Sequence, residues 1–429
     1  MPRDQAPLRV ILGQRGCRPR PRRTDGLSGM RHSMASCRYT DTTTLILGAG
    51  LFRRNATPGF HRHTRGTAHE TGATGGHPMN DHPISRRTVL KAGAAIAGAL
   101  ALGRQPLLAE TRDAPERPTL VVLWLNGGPA GLFNSADSFL PGGAFGVTAD
   151  NVRHLGNGLG VDAGSLGALP EAALAHMASI DFRHGLYPHA DARAAMLESA
   201  SRSRLLRMAA AMPDPAPRCV VVNSLGLPAG VAAMPPAEGR VTLEHCLSLD
   251  DARGPLPIAQ LDAIRSAYGV SAGSTAIDSQ RATFAGIESM IHAGPGVIFA
   301  QPAYTGRPDR QFDTHHDDAG TLARDIMAPI TPSLITFLER VMTLPRRNVV
   351  VLLTGEFSRT LPGSDHVPGG TATVIGKYVK TGTAGRQGPG GSPSEHASPP
   401  EGLWAYVAAA LRVDRSAPFG RNPHRELIA

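Results

Sequence analysis

Carboxylates and histidines occur together in three short segments of this sequence, and side chains of these types bind metal ions. The candidate ligands are Asp313, His315, His316, Glu356, Asp365 and His366. Imidazole and carboxylate groups suit borderline and hard divalent cations, and sets richer in oxygen favour the harder ones. The three segments therefore predict a site for Zn²⁺, Mn²⁺, Mg²⁺ or Ca²⁺.

The spacing within the first segment supports two interpretations. Asp313 and His315 are two residues apart, so on an extended chain they face the same side and can share a cation. The acidic residues could instead form the first turn of the next helix, where the helix dipole stabilises carboxylates. We favour the helix turn for Asp317 and Asp318. For Asp313, His315 and His316 we favour a site.

Arg359 closely follows Glu356 and is the candidate for contact with a substrate. A guanidinium is a planar donor that can hold an anionic group through two hydrogen bonds. The same side chain could instead pair with a carboxylate such as Glu356. Both roles stay open at the level of sequence.

Two glycine-containing motifs are similar to motifs of other functional sites, but neither has the sequence context that such a site requires. Residues 269–273 match the GxSxG pattern, whose serine needs a strand before it, whereas a helical pattern precedes it here. We therefore predict a helix end and a turn.

Residues 127–131 follow a predicted strand without GxGxxG spacing. Pro129 also removes a backbone N–H that a phosphate cradle would use, so dinucleotide binding is disfavoured.

The strands that precede these segments must position them. Continuous apolar runs bounded by turn residues are typical of strands buried on both faces. Four runs are predicted strands: Thr119–Asn126, Cys219–Asn223, Gly296–Ala300 and Asn348–Thr354. Helical patterns alternate with them, which predicts an α/β fold with a mostly parallel sheet. Such sheets bind ligands beyond the carboxyl ends of their strands, where the candidate residues fall.

Helical periodicity fills much of the chain between the strands. The predicted helices are Asp191–Met212, Leu256–Tyr268, Thr275–His292, a closing helix at Gly402–Arg412, and one with a buried stripe of Leu334, Phe337, Leu338 and Val341. That stripe has the i, i+3, i+4, i+7 spacing of one helix face. Residues 363–400 are rich in Gly, Ser, Thr and Pro and predict a long loop, with one strand at Ala372–Val379.

The first 78 residues differ in composition from the rest. They carry 13 Arg and no Lys against 3 Asp and 1 Glu, so 13 − 4 = +9, the net charge of the whole 429-residue chain. The basic charge belongs to this segment and not to a folded face, so nucleic-acid binding is disfavoured. We interpret residues 1–78 as a leader that is either translated from a mistaken upstream start or disordered.

Residues 79–109 have the order of a secretory signal. A twin-arginine motif at 85–91 (SRRTVLK) precedes a short apolar run at 92–102, and small residues end at Ala109. The run is shorter than the roughly 20 residues that span a bilayer, so the mature form is predicted to have no stable membrane span. We predict export to the periplasm by the twin-arginine translocase. Cleavage would leave a single domain at 110–429, and an uncleaved anchor is the alternative.

Two cysteines, Cys219 and Cys246, fall in this domain and lie outside any CxxC pattern. In an oxidising compartment they could pair or remain buried thiols, and the sequence leaves both outcomes open.

Four segments, taken in order, resemble a known family. They are VVLWLNGGPAGLF at 121–133, FDTHHDD at 312–318, VVVLLTGEFSRT at 349–360 and GSDH at 363–366. Together they resemble the exported bacterial family called domain of unknown function 1501 (DUF-1501), over about Thr119 to Leu427. That family is related to the alkaline phosphatase and sulfatase superfamily. The resemblance implies a three-layer α/β/α sandwich of the alkaline-phosphatase type.

The resemblance also implies roles for individual residues. Asp313 with His315 or His316 resembles an Asp…His metal pair before a helix, and Glu356 stands where the superfamily has an aspartate after a strand. Phe357 replaces the histidine that follows there. His189 stands at the position of the superfamily nucleophile, where a cysteine or serine is expected. His189 could be a metal ligand, a nucleophile or a structural histidine.

The function predicted from these residues is hydrolysis. We expect a metal-dependent hydrolase that acts on a small anionic ester of phosphate or sulfate, with His189 and Arg359 as catalytic candidates. The alternative is a non-catalytic periplasmic binding or assembly protein that retains the sulfatase-like fold, which the missing hydroxyl at position 189 favours.

Overall fold

The apolar runs of the sequence form the middle of an eight-stranded sheet. A computed structural model of the protein describes residues 116–129, 152–200, 202–213, 217–224, 228, 240–254, 256–302, 311–317, 320–360, 365–385, 397–413 and 419–429. The predicted leader and signal at 1–109 lie outside these residues, as do Asp318 and residues 363–364.

The strands are, in chain order, β1 (Arg117–Trp124), β2 (Val152–Gly156), β3 (Leu159–Asp162), β4 (Met177–Arg183), β5 (Glu198–Ser199), β6 (Arg202–Ser203), β7 (Arg218–Val222), β8 (Thr242–Cys246), β9 (Val297–Ala300), β10 (Arg347–Thr354), β11 (Gly369–Ile375) and β12 (Gly382–Ala384). The α-helices are α1 (Glu171–Leu174), α2 (His189–Leu197), α3 (Arg204–Ala211), α4 (Leu249–Arg253), α5 (Ile258–Ala267), α6 (Gln280–Ala293), α7 (Thr321–Met327), α8 (Ile330–Val341) and α9 (Pro400–Ala410). Short 3-10 turns lie at Leu166–Ala168 and Arg425–Leu427.

The central sheet has the order β12-β4-β11-β10-β1-β9-β7-β8. Its neighbouring strands pair in parallel except at β11, which is antiparallel to both β10 and β4. The other strands therefore share one direction, and their carboxyl ends meet at one edge. The α/β class and the mostly parallel sheet are confirmed.

Helices cover both faces of this sheet. Alternate β1 side chains enter two separate apolar cores, with Val121 and Leu123 on one face and Leu120, Val122 and Trp124 on the other, as strand geometry requires. Residues of α4 to α8 fill the first core, and residues of α2, α3 and α9 fill the second. Burial of β1 on both faces explains its unbroken apolar sequence, and the result is a three-layer sandwich.

The predicted strands agree with β1, β7, β9 and β10, and the buried stripe of α8 is confirmed. All four stripe residues are at most 1% exposed, and Phe337 packs against Phe284 of α6 with ring centroids 5.5 Å apart. Because α8 leads directly into β10, this packing fixes the origin of the strand that carries Glu356 and Arg359.

The single long helix predicted at Asp191–Met212 is wrong. The chain forms α2 and α3, separated by the two-residue strands β5 and β6. Ala200 has a positive φ of 49°, and Ser203 caps α3 by accepting a hydrogen bond from the Leu206 N–H. Serine side chains compete for backbone groups and favour caps over helix interiors, so Ser203 begins a second helix here.

The two cysteines in the domain are free thiols. The parallel register of β7 and β8 pairs Cys246 with Val222, three residues beyond Cys219. At about 3.3 Å per residue the two Cα atoms are roughly 10 Å apart along the strands, which exceeds the limit of about 7 Å for a disulfide. Of the two outcomes the sequence left open, the structure has the unpaired one.

Across the part of the chain that the structure describes, no helix has both the length and the apolar character needed to cross a membrane.

Candidate functional site

The candidate residues meet at the carboxyl edge of the central sheet. Glu356 and Arg359 follow β10, the segment 311–317 follows β9, and His189 follows β4. His366 precedes β11, whose antiparallel direction brings its amino end to the same edge. The sheet topology therefore gathers residues that lie up to 177 positions apart in the sequence (366 − 189).

Four of these side chains form a group suited to holding a cation. They are His189, Asp313, His315 and His366, and one ligand atom from each lies within 4.8 Å of the others. Three nitrogens and one oxygen form a donor set typical of zinc and other borderline divalent ions. Among the described residues, these four histidine and acidic side chains lie close enough together to share one ion.

The segment that carries Asp313 and His315 alternates in burial. Phe312 and Thr314 are buried while Asp313 and His315 are exposed, so the two ligands face the same side as predicted. His315 Nε2 lies 3.0 Å from Asp313 Oδ1. His316 adopts a positive φ of 63° and lies outside the group.

Asp317 serves the following helix. Its carboxylate accepts hydrogen bonds from the backbone N–H groups of Leu322 and Ala323 in the first turn of α7, at 3.1 and 3.0 Å. A carboxylate there satisfies N–H groups that have no partner within the helix. The prediction of a helix-turn role for Asp317 is confirmed.

His189 is oriented by Glu356, which lies behind it. Glu356 is fully buried, and its Oε1 accepts from His189 Nδ1 at 2.8 Å and from the Gly127 N–H at 2.9 Å. Because a carboxylate accepts, Nδ1 carries the proton and the lone pair of Nε2 is directed away from Glu356. Glu356 itself lies outside the group of four.

The surroundings of His189 Nε2 show whether the group is suited to a metal ion. This atom is buried, has no hydrogen-bond partner and lies 3.5 Å from Asp313 Oδ1. A buried polar atom without a partner costs free energy, and a bound cation would provide the missing partner. The arrangement of carboxylate, histidine and open nitrogen is that of metal-ligating histidines in general, so the residues fit.

His366 is held in a similar way by the backbone. Its Nδ1 donates to the Tyr187 carbonyl at 2.8 Å, and Nε2 faces Arg359 Nη2 at 3.3 Å. Burial lowers the pKa of His366, against the raising effect of the hydrogen bond to Tyr187, and the nearby charge of Arg359 lowers it further. Asp365 is exposed, its backbone N–H donates to Thr360 Oγ1, and its carboxylate lies outside the group.

Arg359 is buried at the centre of the site. Its Nε donates to the carbonyls of Gly127 at 2.8 Å and Phe312 at 3.1 Å, so it ties the loops after β1 and β9 together. Its Nη2 forms an ion pair with Asp313 Oδ1. Of the two roles considered for Arg359, pairing with a carboxylate is present, although the carboxylate is Asp313.

The loop after β1 approaches Asp313 closely at Gly127. This glycine has a φ of 102°, and a Cβ added there would lie 2.6 Å from the Phe312 carbonyl carbon. A left-handed φ and this lack of space both require glycine. The glycine-containing motif at 127–131 therefore brings Gly127 against the backbone that carries Asp313.

Four residues of the site escaped the sequence prediction: His184, Arg193, Asn126 and Phe357 in a supporting role. Phe357 lies beneath His189 and His366, with ring centroids 4.8 and 4.4 Å away. Arg193 donates to Asn126 Oδ1 at 2.6 Å and its Nη2 lies 3.9 Å from Glu356 Oε1. Its i+4 spacing from His189 places both on one face of α2, and that spacing was a usable signal.

His184 holds the backbone of Glu356. Its Nδ1 accepts from the Leu186 N–H at 3.0 Å, so Nε2 carries the proton and donates to the Glu356 carbonyl at 2.7 Å. Burial lowers the pKa of His184, against the raising effect of this hydrogen bond. The side chain is therefore a neutral support.

A groove of about 300 Å³ begins at the group and runs along α7. It is lined by Gln311, Asp313, Thr314, His315, Leu322, Asp325 and Ile326. Its volume is at the lower end of the range for small-molecule sites. Asp313 and His315 thus face both the group and an open approach.

Comparison with solved structures gives a distant likeness in fold. A protein in the alkaline phosphatase superfamily from Vibrio parahaemolyticus superposes with a TM-score of 0.37 and 8% sequence identity, over 72% of this chain and 70% of that one. No family model matches the chain, and no curated protein matches it in sequence. The resemblance to the family called domain of unknown function 1501 therefore stays a prediction.

Proposed function

We propose that this protein is an exported, metal-dependent hydrolase of small phosphate or sulfate esters. One observation carries the proposal: the unpartnered Nε2 of His189 lies within reach of Asp313 Oδ1, in a group that has two further imidazoles. Such an arrangement is costly in a metal-free protein and favourable around a cation.

A divalent ion held by this group would polarise an ester oxygen and stabilise developing negative charge. His189, Asp313 and His315 would hold it, and Glu356 would fix the His189 ring in the tautomer that leaves Nε2 open. His366 lies against the same space. The remaining residues of the site orient the side chains that would hold the metal.

The charges of the site favour an anionic substrate only when a cation is present. Asp313 and Glu356 contribute two formal negative charges, and Arg193 and Arg359 contribute two positive ones, so the four sum to zero. A divalent ion would change that sum to +2, which attracts a phosphate or sulfate group. Substrate affinity should therefore depend on the metal.

Water is the nucleophile that this site supports best. None of the four side chains in the group carries a hydroxyl or a thiol, and His189 Nδ1 is committed to Glu356. Water would therefore attack the phosphorus or sulfur centre directly as the bond to the alcohol oxygen breaks and a water proton passes to the departing alcohol. The products would be the alcohol and free phosphate or sulfate, with no covalent enzyme intermediate on serine, threonine or cysteine.

The test is hydrolysis of p-nitrophenyl phosphate and p-nitrophenyl sulfate by purified protein after chelation and after return of Zn²⁺, Mn²⁺ or Ca²⁺. We expect turnover that requires metal and falls by about 100-fold or more in His189→Ala, at or beyond the upper end of the range for residues that only support a metal ligand. His176→Ala is the control, because that histidine contacts the Val379 carbonyl instead of the group. Equal activity in both variants would contradict the proposal.

A second candidate is a non-catalytic binding protein. Arg359 already supplies a cation to Asp313 and a donor to His366, so part of the group is satisfied without metal. Purified protein that binds no metal and turns over neither ester class would favour this candidate over the hydrolase.

The export part of the proposal rests on the twin-arginine motif at 85–91. Arg86→Lys with Arg87→Lys should retain the chain in the cytoplasm, whereas Arg53→Lys with Arg54→Lys in the leader should not. Fractionation and amino-terminal sequencing of the exported form test this, and an unprocessed periplasmic chain would contradict cleavage at Ala109.

A further inference from the structure

The contact between Arg359 and His366 bears on how many ligands a metal would have. His366 Nδ1 donates to the Tyr187 carbonyl, so in the neutral ring Nε2 has one lone pair. Arg359 Nη2 lies 3.3 Å from that nitrogen. A guanidinium has donors and no acceptor, so the contact uses the lone pair that a metal would need.

Arg359 is poorly placed to move out of the way. The side chain is fully buried, and its Nε is shared between the carbonyls of Gly127 and Phe312. The ring of Phe357 lies 5.8 Å from its guanidinium carbon. Arginine remains protonated throughout the accessible pH range, so the donor to His366 persists.

The contact between Arg359 and Asp313 is different in kind. A carboxylate offers about four lone-pair sites, so Asp313 can accept from Arg359 and still bind a cation. Carboxylates that bind metals are commonly hydrogen-bonded in this way. Arg359 therefore restricts His366 without restricting Asp313.

We propose that Arg359 occupies the Nε2 lone pair of His366, so that a divalent metal is bound by three protein ligands, His189, Asp313 and His315, and keeps an open coordination position. The inference rests on the proposed metal site and specifies its ligand set. Arg359 and His366 are then positioning residues. Zinc sites with four protein ligands are structural, whereas catalytic sites keep a position for water or substrate.

The groove gives an approach to two of the three ligands. It is lined by Asp313 and His315, and neither His189 nor His366 is part of its lining. Among the three ligands, His315 is the most exposed, with 53% of its side chain accessible. A small ester that enters along the groove would therefore reach Asp313 and His315.

The test is titration of purified full-length protein with Co²⁺, whose visible absorption depends on the number and type of its ligands. We expect His366→Ala to bind one equivalent with an affinity within about tenfold of wild type, the smaller end of outer-shell effects. Its spectrum should superpose on that of wild type. His315→Ala should lose the spectrum and weaken binding by more than about 100-fold, beyond the outer-shell range.

Arg359→Met supplies the converse test. Without the guanidinium, His366 Nε2 becomes free to join the metal, so the spectrum should change and the affinity should rise. Arg359→Met combined with His366→Ala should restore the wild-type spectrum. If Arg359→Met fails to fold, because it loses two backbone contacts, the His366→Ala comparison still decides.

The outcomes separate the inference from the proposed function. Loss of the wild-type spectrum in His366→Ala, to the same degree as in His315→Ala, would overturn the three-ligand set and leave the metal site standing. Absence of Co²⁺ binding in wild type would overturn both.

Discussion

Glu356 shows at the level of one residue how the fold prepares a ligand. A buried carboxylate that accepts from His189 Nδ1 and the Gly127 N–H fixes both the histidine ring and the glycine loop. Its second oxygen is buried without a hydrogen-bond partner. Such a residue influences a metal through the histidine and need not contact the metal.

Glu356→Gln should therefore weaken metal binding. The amide removes the charged acceptor that fixes the His189 ring with Nε2 open, and we expect a loss of about 10- to 100-fold in affinity, measured by calorimetric titration. Glu288→Gln is the matched control. That carboxylate is also buried but pairs with Arg340 and Tyr268, so it should lower stability and leave metal affinity unchanged. Equal affinity in both variants would contradict the role of Glu356.

His184 predicts a dependence of stability on pH. Burial lowers its pKa in the folded protein, so the unfolded chain binds the proton more readily. The contribution of His184 is fully present above the ordinary histidine pKa of about 6.5 and is lost as the pH falls below it. Melting temperatures from pH 7.5 to 5.5 should fall less in His184→Gln than in wild type. An identical pH profile for both proteins would exclude the contribution.

The sequence predicted some site residues because their signals are local. The two-residue spacing of Asp313 and His315 gave their shared side, and the same segment correctly assigned Asp317 to the helix. The link between Glu356 and His189 spans 167 positions, and no local pattern encodes it. The Tyr187 contact uses a backbone carbonyl, which the residue type does not reveal.

At the scale of elements, the close contact between the loops after β1 and β9 decides the geometry of the site. Gly127 and Gly156 have nearly the same φ, 102° and 103°. An added Cβ at Gly127 meets the backbone of Phe312 and Asp313, whereas one at Gly156 meets nothing within 4 Å. Substitutions at these two glycines therefore separate the cost of backbone strain from the cost of steric contact.

Gly156→Ala should cost about 1 to 3 kcal/mol, the range for a non-glycine residue held in a left-handed conformation. Gly127→Ala should cost more, because the loops must also move apart, and it should weaken metal binding by displacing Asp313. Urea denaturation and metal titration of both variants test this. Equal effects would show that the close approach is unimportant.

Elements with a single dominant sequence pattern were predictable, whereas elements with a mixed pattern were not. Four strands buried on both faces were visible as apolar runs. β4 was missed because Ser179 and Asp181 interrupt its pattern, although both are buried within the sheet. The split between α2 and α3 depends on a serine cap and one positive φ, which compete with a strongly helical composition.

At the scale of the molecule, the parallel register of β7 and β8 predicts that export would not create a disulfide. Burial raises the pKa of Cys219 to about 12, and burial with nearby Glu244 and Asp251 raises that of Cys246 to about 11. Both thiols should be unreactive in the folded protein and alkylated after denaturation without reductant. A crosslinked peptide of Cys219 and Cys246 in non-reducing mass spectrometry would contradict the register.

The metal content of purified protein, compared between variants of two neighbouring histidines, decides whether a metal site exists at this edge of the sheet. His315 belongs to the group of four and His316 does not. We predict about one equivalent of a divalent metal in wild type and His316→Ala, and loss of that metal in His315→Ala. Absence of metal from wild type, or the same metal content in both variants, would contradict a metal site at this edge of the sheet.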